Sequence, residues 1–237
     1  MIEAIDLCKY YGSFAAIDHL TFTIRRGEVV AFLGPNGAGK STTMKVLTGY
    51  LSPTSGAARL AGLDVVRDRV RAVEKLGYLP ENGPLYPEMT PHALLTFFGE
   101  ARGLGGARIA ERIDFVTQEC DLSELLHKPI GTCSKGQKQR VGMAQALLHD
   151  PEVLLLDDPT TGLDPNQIRH VRELVKKLGE TRTILLSTHL FQEVEAMAGR
   201  VLLVNEGKLA FDGTPADFKA KGGGQMDKAF HSLTTHA

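Results

Sequence analysis

Residues 28–50 read EVVAFLGPNGAGKSTTMKVLTGY. EVVAFLG is a continuous apolar run, the composition of a strand covered on both faces of its sheet. KSTTMKVLTGY reads as the helix that follows. Between them GPNGAGKS, Gly34 to Ser41, fits G-x-x-x-x-G-K-[ST] in full, after a strand and opening a helix as that pattern requires. Its glycines let successive backbone N–H groups converge on phosphate oxygens, and the helix N-terminus adds partial positive charge. Lys40 is expected to reach the β- and γ-phosphates and Ser41 to hold Mg²⁺. The stretch therefore predicts a nucleoside triphosphate site built on Gly34, Pro35, Asn36, Gly37, Ala38, Gly39, Lys40, Ser41 and Thr42.

A second stretch completes the expectation. VLLLDDPTTGLDP, residues 153–165, is an apolar run ending on two adjacent carboxylates. Burying a charge is costly without a partner or a metal, so packing alone does not account for it. An aspartate at the end of such a strand holds Mg²⁺ through water beside the phosphate loop, which is the role expected of Asp157. Side chains alternate along a strand, so Asp158 should point elsewhere, nearer the attacking water.

Outward from these two stretches the chain alternates strand and helix. EAIDL and AIDHLTFTI read as short N-terminal strands, residues 55–66 as further strand with turns, and KLGYLP as a short buried strand. ENGPLYPEMTP, residues 81–91, is too rich in proline for regular structure. Thr90-Pro91 then supplies an N-cap and first-turn pair for a helix through HALLTFFGEA. Ile109, Ile113, Val116 and Cys120 mark one face of a second helix. Residues 84–150 thus read as a helical insertion. After Pro151 the order is strand VLLLD, a helix from about Pro165 to Leu178, strand TILLS, a helix around LFQEVEAM and strand RVLLVN. The expected fold is α/β, with a mainly parallel sheet, an antiparallel N-terminal β part and the inserted helical subdomain. Residues 2–215 form the expected domain. Residues 216–237, with their Gly222-Gly223-Gly224 run, read as a flexible tail.

Composition excludes several classes. The chain has 237 residues and a net charge of −1, with no global basic footprint for nucleic acid. Pairs such as Arg25-Arg26 and Lys176-Lys177 read as solvated faces. No run approaches the roughly 18 consecutive apolar residues of a membrane span, and MIEAIDLCKYYG carries Glu3 and Asp6, so no signal peptide is expected there. The three cysteines, Cys8, Cys120 and Cys133, make neither a metal-ligand spacing among themselves nor an even disulfide set. A reducing, cytosolic setting fits. No N-K-x-D guanine motif occurs, which disfavours a GTP switch.

CSKGQKQRVGMAQALLHDPEVLLLDDPTTGLDP, together with GPNGAGKSTT, resembles the nucleotide-binding subunits of ATP-binding-cassette (ABC) transporters, from about residue 2 to 215. The resemblance implies a P-loop NTPase core binding ATP and Mg²⁺. It also implies a head-to-tail dimer, homodimeric or heterodimeric with a similar cassette, closing around two ATP molecules and driving a separate integral membrane permease. Such a subunit sits in the cytoplasm, on the cytoplasmic face of the inner or plasma membrane.

Ser134-Lys135-Gly136-Gln137 looks like that family's signature, presented to the other subunit's γ-phosphate. Locally, Ser134 and Gln137 also form an S-x-x-Q capping box. Tyr11 matches the aromatic residue that stacks on adenine, with Tyr10 adjacent. His189 matches the switch histidine that contacts the γ-phosphate and orients the water. Asp164 matches the loop aspartate that couples the two sites, and locally it caps a helix ahead of Pro165. Glu81, in YLPENG, stands where the family carries a glutamine that serves Mg²⁺ or its water. YLPE with the SKGQ signature resembles the export-type branch that handles drugs, polysaccharides or gliding-associated exporters.

Asp158 departs from the pattern, since the family has glutamate there to polarise the attacking water. One methylene fewer withdraws the carboxylate by about 1.5 Å, and misplacing a catalytic group by about 1 Å can cost on the order of 10²-fold. That departure leaves open a cassette that binds ATP but hydrolyses it slowly; a separate alternative, of a different class, is a soluble cassette acting on ribosomes or DNA. The latter usually carries two cassettes in one chain, coiled coils or zinc modules, and none of these occurs here.

Overall fold

The computed structural model describes residues 1–81 and 83–235. Two sheets stack through one core. The first is antiparallel, in the order β2-β1-β4-β5: β1 (Ile2–Tyr11), β2 (Phe14–Ile24), β4 (Ser55–Leu60) and β5 (Leu63–Asp64). The second runs β10-β9-β3-β8-β7-β6, with β3 (Val29–Leu33), β6 (Leu76–Leu79), β7 (Val153–Asp157), β8 (Thr183–Ser187), β9 (Arg200–Asn205) and β10 (Lys208–Gly213). All its neighbours are parallel except β10, which turns back on β9. The mainly parallel sheet and antiparallel N-terminal part are as the sequence predicts.

Continuous apolar strands arise because the second sheet is covered on both faces. Along β7, Val153 and Leu155 face the core shared with β1, β2 and the helix α1 (Lys40–Leu47), while Leu154 and Leu156 face the helical side. All five β7 residues are buried. Each such leucine contributes about 1.5–3 kcal/mol through burial, so a polar residue on either face would break the layer.

Between β6 and β7 come α3 (Pro91–Ala101), α4 (Gly106–Glu119), a short 3₁₀ turn (Ile130–Thr132) and α5 (Lys135–Leu147). Thr90 caps α3 by accepting from the Ala93 N–H at 3.2 Å, and Pro91 occupies its first turn. Ile109, Ile113 and Val116 form the buried face of α4, with Cys120 at its end. Arg112 shares that face because its guanidinium donates to the Leu147 and Leu148 carbonyls, both at 2.8 Å. It thereby satisfies the C-terminus of α5. The hydrophobic period alone does not reveal a buried arginine.

The short helix α2 (Arg69–Glu74) lies before β6, and α6 (Pro165–Gly179) and α7 (Phe191–Met197) flank β8. The three cysteines are free and buried.

The expectation of a flexible tail over residues 216–237 is corrected. Thr214 and Asp217 form a capping box that opens α8 (Pro215–Lys221), and α9 (Met226–Thr234) follows. Phe218 is fully buried against Ala31, Leu33, Val201 and Leu203, and Met226 and Ala229 join the same cluster. Gly223 and Gly224, with φ 62° and 92°, make the tight turn between the two helices. A Cβ on Gly222 would stand 2.2 Å from the Ala229 nitrogen. The glycine run serves close packing rather than a linker. His236 and Ala237 lie outside the described residues.

Candidate nucleotide site

The loop Gly34–Gly39 leaves the C-terminal end of β3 and turns into α1. Gly39 adopts φ 101°, and a Cβ there would lie 2.2 Å from the Ala16 carbonyl of β2, so only glycine fits. Lys40 reaches back over the loop and donates to the Gly34 carbonyl at 2.6 Å and the Pro35 carbonyl at 3.0 Å. Thr43 ties the first turn through its hydroxyl to the Gly39 carbonyl, 2.9 Å away. Ser41 and Thr42 stand at the start of α1, where backbone N–H groups lack helical partners. A convergent ammonium, N–H groups and hydroxyls make an anion site suited to phosphate.

Asp157 and Asp158 reach this loop from β7. Burial is the main force pushing Asp157 above the usual carboxylate range; Asp158 and Glu81 add to it, while the Ser187 hydroxyl and Lys40 oppose it. Lys40 is correspondingly held below its ordinary value by burial, against the pull of Asp158 and Asp157. Two carboxylates thus flank one ammonium, and Glu81 adds its charge to that of Asp157. Asp157, Glu81 and the Ser41 hydroxyl are hard oxygen donors in a locally acidic place, which fits Mg²⁺. Glu81 lies exposed in the turn after β6.

Asp158 does turn away from Asp157. Its φ of 47° is left-handed, and its N–H donates to the Ser187 carbonyl at 2.9 Å. The Asp158 carbonyl accepts from Gln139 Nε2 at 3.2 Å. So held, its carboxylate Oδ1 meets His189 Nδ1 at 2.8 Å. His189 follows β8, the parallel neighbour of β7, and its ring is largely exposed.

Beneath this pair, Glu193 is fully buried and accepts from the Thr160 and Thr188 hydroxyls, the latter at 2.6 Å. This bridge fixes the loops after β7 and β8. Sequence reading missed it, because lone threonines after strands carry no periodic signal.

Ser134 and Gln137 make the capping box that opens α5, with Ser134 Oγ accepting from the Gln137 N–H at 3.2 Å. Asp164 does the same for α6, accepting from the Asn166 and Gln167 N–H groups at 2.9 and 3.0 Å. The two helix starts are neighbours: the Lys135 stem packs on Gly162, and Gly136 lies against the Gln167 side chain. Ser134, Lys135 and Asp164 are exposed there.

Tyr11 ends β1 half-exposed, opposite the exposed ring of Phe14, with Lys9 Nζ 5.5 Å from its centroid. Tyr10 instead points its hydroxyl to Asp18 Oδ1 at 3.3 Å. Of the two adjacent tyrosines, Tyr11 presents the open ring.

The ABC transporter family model matches residues 17–161. Among curated proteins, the chain is 38% identical to the probable multidrug ABC transporter ATP-binding protein YbhF of Escherichia coli over 98% of its own length, but spans only 41% of that protein. It is 35% identical to the linearmycin resistance ATP-binding protein LnrL of Bacillus subtilis, covering 94% of this chain and 72% of that one. Among solved structures, an ATP-binding subunit of an ABC transporter superposes with a TM-score of 0.91 at 31% identity, over 99% of this chain and 100% of the other.

Proposed function

The chain belongs to the ABC transporter family, and from that premise we propose that it is an ATP-hydrolysing subunit that drives export through a separate membrane permease. The observation carrying this reading is the convergence of the Lys40 loop with Asp157, Asp158 and His189 at the ends of β3, β7 and β8.

In this reading the backbone of Gly34–Gly39 and Lys40 bind the β- and γ-phosphates, and Tyr11 stacks on adenine. Ser41, Asp157 and Glu81 hold Mg²⁺, which supplies positive charge against the phosphate oxygens. Asp158 orients and polarises the attacking water. His189, fixed at Nδ1 by Asp158, turns Nε2 towards the γ-phosphate. One chain carries one phosphate loop and one signature, so two copies, or this chain and a similar one, close head-to-tail around two ATP molecules. Ser134, Gly136 and the start of α5 then meet the partner's γ-phosphate, with Lys135 and Gln137 framing that end and Asp164 coupling the two sites.

The cassette proper spans residues 2–215, with the helical subdomain at about 84–150, and α8 and α9 pack onto it. A cleft of about 950 Å³ between β6 and the helical part, lined by Tyr78, Glu81, Leu85, Phe98 and Arg102, suits a permease segment. No described helix is long and apolar enough to cross a membrane, so attachment to the cytoplasmic face falls to that permease. The relatives' multidrug and linearmycin names support an export substrate of antibiotic type.

One observation favours a slower variant of the same function. Asp158 spends its short carboxylate on His189, leaving less reach towards the water than glutamate would have. Binding of a fluorescent ATP analogue tests the main reading: Lys40→Ala should abolish it, and undiminished binding would refute the assignment.

A further inference from the structure

The β1–β2 hairpin gathers a second set of donors. β1 is bulged, with its pairing register slipping between Ala4 and Leu7 and again between Leu7 and Lys9. Asp6 and His19 sit at these irregularities with φ of 47° and 53°. Left-handed backbone costs non-glycine residues about 1–3 kcal/mol and concentrates at ligand sites. Here it turns three side chains of different chemistry towards one another: the Cys8 thiol, the Asp18 carboxylate and the His19 imidazole have ligand atoms all within 4.8 Å.

Their arrangement matches a metal site at two levels. His19 Nδ1 is bonded to Asp6 Oδ1 at 2.6 Å, which leaves Nε2 facing Asp18 Oδ1 at 3.8 Å. A carboxylate behind a histidine is the outer-shell device that fixes the ring and raises its basicity as a ligand. Cys8 Sγ accepts the His19 backbone N–H at 3.3 Å, a donor that supports thiolate charge. Lys208 Nζ occupies the other oxygen of Asp18, Oδ2, at 3.1 Å. Tyr10 shares Oδ1 at 3.3 Å and would have to yield or share it.

Sulfur, imidazole and carboxylate bind Zn²⁺ at about 2.0–2.3 Å, so tetrahedral ligand atoms stand roughly 3.3–3.8 Å apart. The His19–Asp18 pair already has that spacing. A thiolate–imidazole set favours Zn²⁺ over Mg²⁺ or Ca²⁺, and the largely exposed His19 side chain gives an ion access.

We propose that Cys8, Asp18 and His19 bind one Zn²⁺ ion, with water in the fourth position. The spacing of cysteines does not reveal it, because the histidine and aspartate arrive from the paired strand. The site is tied to the phosphate loop by two backbone bonds: the Asp18 N–H to the Gly207 carbonyl and the Gly207 N–H to the Ala38 carbonyl, each 3.0 Å. Tyr11 lies three residues beyond Cys8. A bound ion would therefore brace the hairpin that carries Tyr11. That consequence rests on the nucleotide reading, whereas ion binding does not.

The test uses the nucleotide-free full chain with Co²⁺ as a coloured probe, displaced by Zn²⁺. One Co²⁺ per chain should bind with a thiolate-to-cobalt absorption band that one equivalent of Zn²⁺ bleaches. Cys8→Ser should lose the band. His19→Asn, which tolerates left-handed backbone, should weaken Zn²⁺ binding at least about tenfold, and Asp6→Asn by about 10–100-fold with the band retained. A wild type without the band, a band surviving Cys8→Ser, or a Zn²⁺ affinity unmoved by His19→Asn would each overturn the proposal.

Discussion

Asp158 Oδ1 lies 2.8 Å from His189 Nδ1, joining residues that follow two adjacent parallel strands. The contact depends on backbone as much as on side-chain length. With φ at 47° and its N–H on the Ser187 carbonyl, Asp158 is rotated off the β7 line towards β8. The carboxylate thus stands paired with an imidazole rather than alone.

Asp158→Asn should lower steady-state phosphate release by about 100-fold or more, because the amide cannot accept a proton from water. Asp158→Glu should raise it by roughly tenfold, restoring about 1.5 Å of reach. Glutamate tolerates left-handed backbone less well than aspartate, so that variant should also be less stable by about 1 kcal/mol. Unchanged turnover in Asp158→Asn would remove Asp158 from the chemistry.

Asp157→Asn separates binding from stability. A carboxyl held above its usual range by burial costs folding energy at every pH above its unfolded value, since the unfolded chain ionises at lower pH than the folded one. The neutral amide should therefore raise the melting temperature of the nucleotide-free protein near neutral pH. The same substitution should abolish Mg²⁺-dependent hydrolysis. A lowered melting temperature would show that the carboxylate is instead satisfied where it stands.

How far the sequence carries can be judged from these residues. Lys40, Asp157 and the caps Thr90, Ser134 and Asp164 are legible because each sits in a local pattern that dictates its own geometry. The Asp158–His189 contact is not, since it is made by strand pairing across 31 residues. Arg112 and Glu193 are buried polar groups whose partners come from distant segments. The C-terminal helices were missed, although Thr214-Pro215 repeats the Thr90-Pro91 start signal. The glycine run between the two helices has the composition of a linker, and only the close approach of Gly222 to Ala229 of α9 shows its use.

His149 gives a pH dependence. Burial, with repulsion from Arg102 and Arg112, lowers its pKa to about 4. Its Nε2 donates to the Leu76 carbonyl at 2.9 Å, and its buried Nδ1 has no hydrogen-bond partner among the described residues. The unfolded histidine takes up a proton near pH 6.5, so the folded form loses stability as pH falls from there to about 4. The loss should total roughly 2–3 kcal/mol, and less where solvent screens it. Urea unfolding of wild type and His149→Gln across that range should show a shallower acid slope in the variant. Equal slopes would assign the acid sensitivity to other groups.

Phe218 tests whether the C-terminal helices belong to the folded unit. Its ring is fully buried and meets Phe211 edge-on with centroids 5.2 Å apart, against Leu203 of β9. Phe218→Ala should cost about 3–5 kcal/mol, the range for a large aromatic removed from a core. Thr214→Ala, which removes the cap of α8, should cost about 1 kcal/mol. Because β9 pairs directly with β3, whose end carries the phosphate loop, the Phe218 variant should also weaken ATP-analogue binding, while Thr214→Ala should leave it close to wild type. Urea midpoints unmoved by Phe218→Ala would mean that α8 and α9 contribute nothing to the core they cover.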